Sequence, residues 1–161
     1  DLVVGTHGRS IWIMDLEPLR EFMKEQKESV VLFSIPAVNW RGDWGGNWSK
    51  WLEPQIPEQA ISIYASSAAT CTVEIVGPDS MKIATLGEVK LHAGYNRIPY
   101  DLSFAEDRVK SLQDSLNKGK EAADMIRIRK ADNGKYYLPK GDYKVLVSGA
   151  FGTKQTSCRL E

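Results

Sequence analysis

The stretch from Asn39 to Trp51, NWRGDWGGNWSKW, holds Trp40, Trp44, Trp48 and Trp51, four of the chain's five tryptophans, among three glycines. Sugars stack their apolar faces on flat indole rings, and Asp43, Asn47 and Lys50 stand between the rings as candidate polar contacts. Each tryptophan buries roughly 150 to 250 Å² and has an N–H in need of a partner. Four exposed together would form a large adhesive patch, so they are either covered by protein or offered to a ligand. The stretch admits three roles: packing at a junction between domains, carbohydrate or peptide binding, and catalysis. For catalysis, Asp43 and Glu53 flank the rings, and glycoside hydrolysis needs two carboxyls about 5 to 9.5 Å apart across a cleft. Solvated loop charges are the simpler account of both.

Elsewhere reactive chemistry is sparse. His7 sits in a Gly-rich turn and His92 beside an Ala-Gly step, and neither has a second His or Cys close in sequence. Cys71 and Cys158 lack the clustered spacing of metal ligands. Both share strand parity with apolar neighbours, which leaves two readings open: buried free thiols, or a disulfide between an early and a late strand. There is no His-Glu-x-x-His, no phosphate-cradling Gly-rich motif and no Gly-x-Ser-x-Gly elbow. Ser115 to Lys118 matches Ser-x-x-Lys in letters only, inside an amphipathic helical pattern. Arg41-Gly42-Asp43 spells an integrin tripeptide and Asn47-Trp48-Ser49 a glycosylation sequon, and both are short enough to arise by chance. No catalytic residue, metal ligand or cofactor is expected in this chain. Trp40, Asp43, Trp44, Asn47, Trp48 and Trp51 are the candidate ligand contacts.

The bulk properties narrow the partners. Lys and Arg number 21 against 21 Asp and Glu, so no global field draws the protein to nucleic acid or an anionic membrane. Apolar runs such as Val30 to Phe33 fall far short of the ~20 residues that span a bilayer, so no membrane insertion is expected. The length suits one domain with an appendage. The chain opens at Asp1 in strand-like residues with neither initiator Met nor leader, and reads as a piece of something longer.

Three zones must position these residues. In the first, 1–28, Leu2-Val3-Val4 and Ile11-Trp12-Ile13 are β-rich runs around the turn GTHGRS, followed by a helix starting near Asp15 and Pro18. Leu16, Leu19, Phe22 and Met23 give that helix one apolar stripe. The second zone, 29–58, starts with a short strand candidate, SVVLFSI, and continues as a Trp-rich connector. The helical spacing of its tryptophans is opposed by three glycines at about 1 kcal/mol each, so an ordered loop is predicted. In the third, 59–161, short alternating runs (AISIYA, TVEIVG, MKIATLGEVKL, RIPYDL, GDYKVLVSG, TKQTSCRL) separated by Gly and Pro turns predict an antiparallel sandwich. Ser103 and Glu106 have capping-box spacing, and Ala105, Val109, Leu112 and Leu116 follow at helical spacing. They predict an inserted helix of about four turns near 103–118, lying across a sheet edge or end.

DLVVGTHGRSIWIMDLEPLRE resembles the closing segment of the BNR-repeat, sortilin-like β-propeller proteins carried under the label of glycosyl hydrolases. Gly5, Thr6, His7, Gly8, Arg9, Trp12, Asp15, Pro18, Leu19 and Arg20 fall in the order of that family's last blade. TVEIVGPDSMKIATL, HAGYNRIPYDL and LPKGDYKVLVSG resemble the immunoglobulin-like sandwich that follows the propeller there, and are similar to a module of the flagellar-hook capping protein. Gly94, Asn96 and Asp101 match its pattern, whereas Tyr100 stands where that pattern has Trp. Lys140-Gly141-Asp142 loosens its Pro-Gly-Tyr step, and the helix near Ser103 is an insertion. The resemblance implies an all-β chain: an immunoglobulin-like antiparallel sandwich with an inserted α-helix, preceded by a hairpin and short helix left over from a propeller blade. It also implies a non-catalytic accessory role, with the propeller of the same polypeptide as partner and the periplasm or cell exterior as address. The alternative is a carbohydrate-binding module built on the tryptophans. The parent's own active site would lie in the propeller, since no Ser-x-Asp-x-Gly-x-Thr-Trp box occurs here.

Overall fold

A computed structural model describes residues 1–5, 10–24, 28–47, 49 and 51–161. Strands β1 (Leu2–Gly5) and β2 (Ile11–Met14) form an antiparallel hairpin. Helix α1 (Glu17–Lys24) follows where the sequence predicts it, with the Glu17 amide donating to Asp15 Oδ1 at 2.9 Å. That bond satisfies one of the free N–H groups of the first turn, and Glu17 and Lys24 sit at the ends the helix dipole favours. The turn residue His7 lies outside the described residues.

Seven strands make an immunoglobulin-like antiparallel sandwich. β3 (Val30–Leu32), β4 (Gln59–Ala65) and β7 (Gly94–Tyr100) form one sheet in the order β3-β4-β7. β5 (Ala69–Val76), β6 (Lys82–Leu91), β10 (Gly141–Gly149) and β11 (Gly152–Leu160) form the other in the order β11-β10-β5-β6. The period-2 patterns fill the space between the sheets: Ile61, Ile63 and Ala65 of β4 face Cys71, Val73 and Ile75 of β5 and Tyr143, Val145 and Val147 of β10, all buried. Each such aliphatic residue contributes roughly 1.5 to 3 kcal/mol on burial. The fourth strand of the sandwich, β6, pairs with β5 and not with the sheet of β4 and β7, which departs from the constant-type arrangement of this fold. The fold's tyrosine corner is present, because the buried Tyr143 hydroxyl at the start of β10 donates to the Pro139 carbonyl at 2.8 Å.

Both cysteines are buried and free. Cys158 pairs with Tyr143 and Cys71 with Gly149, near opposite ends of β10, so the register separates the two thiols. Burial raises the pKa of the Cys71 thiol and pushes that of Cys158 up to about 11.

The insertion differs from its prediction. Ser103–Phe104 is a short strand, β8, pairing with β9 (Tyr136–Tyr137), and a 3-10 turn at Glu106–Arg108 leads into α2 (Val109–Asn117), about two and a half turns at 3.6 residues each. The capping box does not form. The Ser103 hydroxyl donates to Asp101 Oδ1 at 2.6 Å, and Glu106 accepts from Tyr136 and Lys130. Both side chains of the expected box are thus drawn to other partners. The predicted stripe does hold from Val109 onward: Leu112 is fully buried, and Ser115 reaches Asp79 Oδ2 in the turn between β5 and β6.

Candidate functional site

Among its described residues the tryptophan loop is not helical, with a turn over residues 42–45. Gly45 makes it possible: its φ is +71°, where a side chain is strained, and a Cβ there would lie 2.6 Å from the Asn133 side chain. One bond closes the loop on itself, and two tie it to the segment before β10, one through the backbone and one through the Asp132 side chain. Gly45 donates to the Gln55 carbonyl at 2.9 Å, Asn133 donates to the Gly45 carbonyl at 3.0 Å, and the Asn47 amide donates to Asp132 Oδ2 at 2.7 Å.

The candidate ligand residues part company here. Trp44 is 6% exposed and sits edge-on between Trp40 (ring centroids 6.3 Å apart) and Tyr137 (6.1 Å), with Asn133 donating to the Tyr137 hydroxyl at 2.8 Å. Trp40 is half-buried, and its indole N–H donates to the Leu138 carbonyl at 3.1 Å, so the part of the ring left exposed is apolar. Trp51 is 93% exposed. Trp48 and Lys50 lie outside the described residues. Asp43 is bound by the Arg41 guanidinium through two bonds of 3.0 and 2.7 Å. The hydrogen bond from Arg41 holds the Asp43 carboxyl below its ordinary range, and the same bond raises Arg41. The charges of the Arg41-Gly42-Asp43 tripeptide therefore neutralise each other.

Two hollows adjoin the loop. One, of about 720 Å³, is lined by Arg41, Asp43, Asn47, Glu53 and Asp132. Asp43 and Glu53 do share it, but Asp43 is held ionised, the opposite of what a proton-donating carboxyl needs. The other, of about 330 Å³, runs between Trp40 and Trp44 on one side and residues 127–132 on the other. A larger cleft of about 940 Å³ lies away from the tryptophans, beside β6 and β7. Of its acids Glu58, Asp101 and Asp107, Asp101 pairs with Lys135 at 2.6 Å and accepts from the Ser103 backbone and hydroxyl. Among the described residues no group of three or more His, Cys, Asp or Glu could hold a metal ion. No described helix is long and apolar enough to cross a membrane.

The sequence singled out the indoles but not what covers them. Tyr137, Leu138 and Asn133 lie some 90 residues downstream, and no local pattern links them to the loop. Arg127 and Arg129, which line the smaller hollow, were likewise not singled out.

No family model matches the chain, and no curated protein matches it. Among solved structures, a β-glucosidase from Listeria innocua in complex with glucose aligns with 81% of this chain and 15% of its own, at 10% identity and a TM-score of 0.32. A mutant of that enzyme in complex with laminaribiose aligns with 82% of this chain and 16% of its own, at 12% identity and a TM-score of 0.33. This chain thus spans about a sixth of the length of either structure, and a likeness this slight bears on neither family nor activity.

Proposed function

We propose that the chain is a non-catalytic accessory module of an exported propeller-type protein, its sandwich packing against the propeller or orienting it. The single observation that carries this reading is the β1–β2 hairpin. All of its strand residues are exposed, and their large apolar side chains range from 43% for Leu2 to 73% for Ile11. The register puts Leu2, Val4, Trp12 and Met14 on one face and Val3, Ile11 and Ile13 on the other. A ribbon with one apolar face belongs on the surface of a core, whereas one with two belongs inside a sheet covered from both sides. Blades of a propeller are stacked in that way. A two-stranded hairpin alone is marginal in water, and these seven side chains gain little burial as they stand.

The test is hydrogen exchange on the β1 and β2 amides. The expected result is rapid exchange in this chain alone, and protection by several orders of magnitude when it is expressed together with the coding sequence upstream of Asp1. Equal, fast exchange in both would overturn the reading, as would a reversible dimer of this chain alone that protects the hairpin.

A further inference from the structure

From the smaller hollow beside the tryptophan loop we infer a binding site for an acidic oligosaccharide, one bearing carboxylates on its rings, with Trp40 as stacking surface and Arg127 and Arg129 as the anion contacts. The inference does not depend on the propeller reading.

The site is built from two sides. On one, Trp40 presents ring surface with no polar need of its own, because its N–H is already bound to Leu138. Trp44 stands edge-on to it and is itself backed edge-on by Tyr137. Lys140 Nζ lies over the Trp40 ring, 5.9 Å from its centroid, in a cation–π contact, and Lys140 is not among the residues that line the hollow. On the other side runs residues 126–130. Its half-buried Ile126 and Ile128 alternate with exposed Arg127 and Arg129, the period of extended chain. Two side chains of α2 hold it in place. Asn117 accepts from the Ile126 amide at 2.7 Å and donates to its carbonyl at 2.8 Å, while Gln113 accepts from the Ile128 amide at 3.0 Å. The helix thus does the work of a neighbouring strand, and the intervening arginines are left facing outward on a fixed backbone.

Charge decides the ligand class. The other cations of this hollow are already neutralised: Arg41 is bound by Asp43, and Lys130 pairs with Glu106 at 3.2 Å. Arg127 and Arg129 have no carboxylate partner among the described residues. The remaining acid at the hollow, Asp132, accepts the neutral Asn47 amide and keeps its negative charge, which the two arginines outweigh. A chain with zero net charge therefore places two guanidiniums without carboxylate partners among the described residues, on a backbone held by α2, beside a flat aromatic surface. Guanidinium forks bind carboxylates in the plane, often through two bonds. A neutral sugar would leave them unused, and an acidic peptide would leave the ring without a flat partner. The volume of about 330 Å³ is at the small end for ligand pockets, suited to one or two sugar rings with the remainder in solvent.

The experiment is calorimetric titration of the chain with trigalacturonate, cellotriose and triglutamate at low ionic strength. Trigalacturonate should bind at least tenfold more tightly than either of the others, and more weakly at 0.5 M salt. The R127Q/R129Q double variant should lose tenfold or more in affinity for trigalacturonate. Both side chains are exposed and have no carboxylate partner among the described residues, so the fold should not depend on them, and Lys90→Gln on β6, which does not line the hollow, serves as the unaffected control. The inference is overturned if trigalacturonate gives no binding at millimolar concentration, if cellotriose or triglutamate binds equally well, or if the double variant binds as the parent does.

Discussion

Asn96 is a buried polar side chain of the sandwich, and both ends of its amide are hydrogen-bonded. Its Oδ1 accepts the His92 amide at 2.9 Å, and its Nδ2 donates to the carbonyls of His92 at 2.9 Å and Gly94 at 3.0 Å. That explains physically why a Gly-x-Asn step opens β7: the side chain closes the turn from β6 from inside. Asp101, five residues on, acts differently. Partial burial pushes its carboxyl up, but bonds from Lys135 and Ser103 outweigh this and hold it below the ordinary carboxylate value of 3.8. A folded-state pKa below the unfolded one adds stability above the unfolded value, and that stability is lost as pH falls through the folded one. Asp101→Asn is therefore expected to cost about 1 kcal/mol near neutrality, with the deficit shrinking below about pH 4 as the parent loses its own advantage. Urea melts of both proteins at about pH 7 and about pH 2.5 measure it.

At the scale of elements, strand alternation and Gly-Pro turns made the sandwich legible, because those signals are local and report directly which face is buried. Helix α1 was legible for the same reason, since Asp15, Glu17 and Pro18 act within one turn. Its stripe was not fully informative. Phe22 packs on Tyr64 at 4.5 Å between ring centroids, while Leu19 and Met23 are exposed. The start of α2 was misread because Glu106 is engaged by Tyr136, 30 residues away, and by Lys130, 24 away, partners no spacing rule can see. The tryptophan loop was read correctly as a loop, through its glycines, but its attachment was hidden in residues 131–138. That attachment makes a sharp prediction. Gly45→Ala combines a positive φ with a clash against Asn133, so a loss of about 1 to 3 kcal/mol is expected. Thermal melting should show it, and a melting temperature equal to the parent's would mean that the loop is not held through this turn.

At the scale of the whole molecule, the chain between β3 and the tryptophan loop runs along the outer edge of β11. Val38 pairs with Leu160 in parallel. Val38 donates to the Arg159 carbonyl at 2.8 Å, Glu161 donates to the Val38 carbonyl at 3.0 Å, and Trp40 donates to the Glu161 carbonyl at 2.7 Å. These bonds occupy backbone groups that an unprotected edge would offer to another chain. Trp40 is the anchor at the end of this strap, through its indole bond to Leu138. The strap is consequently a guard against self-templating, and its failure need not wait for the core to melt. Trp40→Ala should bring on thioflavin-positive fibrils at temperatures where circular dichroism still reports an intact sandwich. If fibrils arise only once the core has unfolded, edge exposure is not what limits assembly. A module tuned in this way would owe its solubility to one indole and a few backbone bonds, and its melting temperature to a different set of residues.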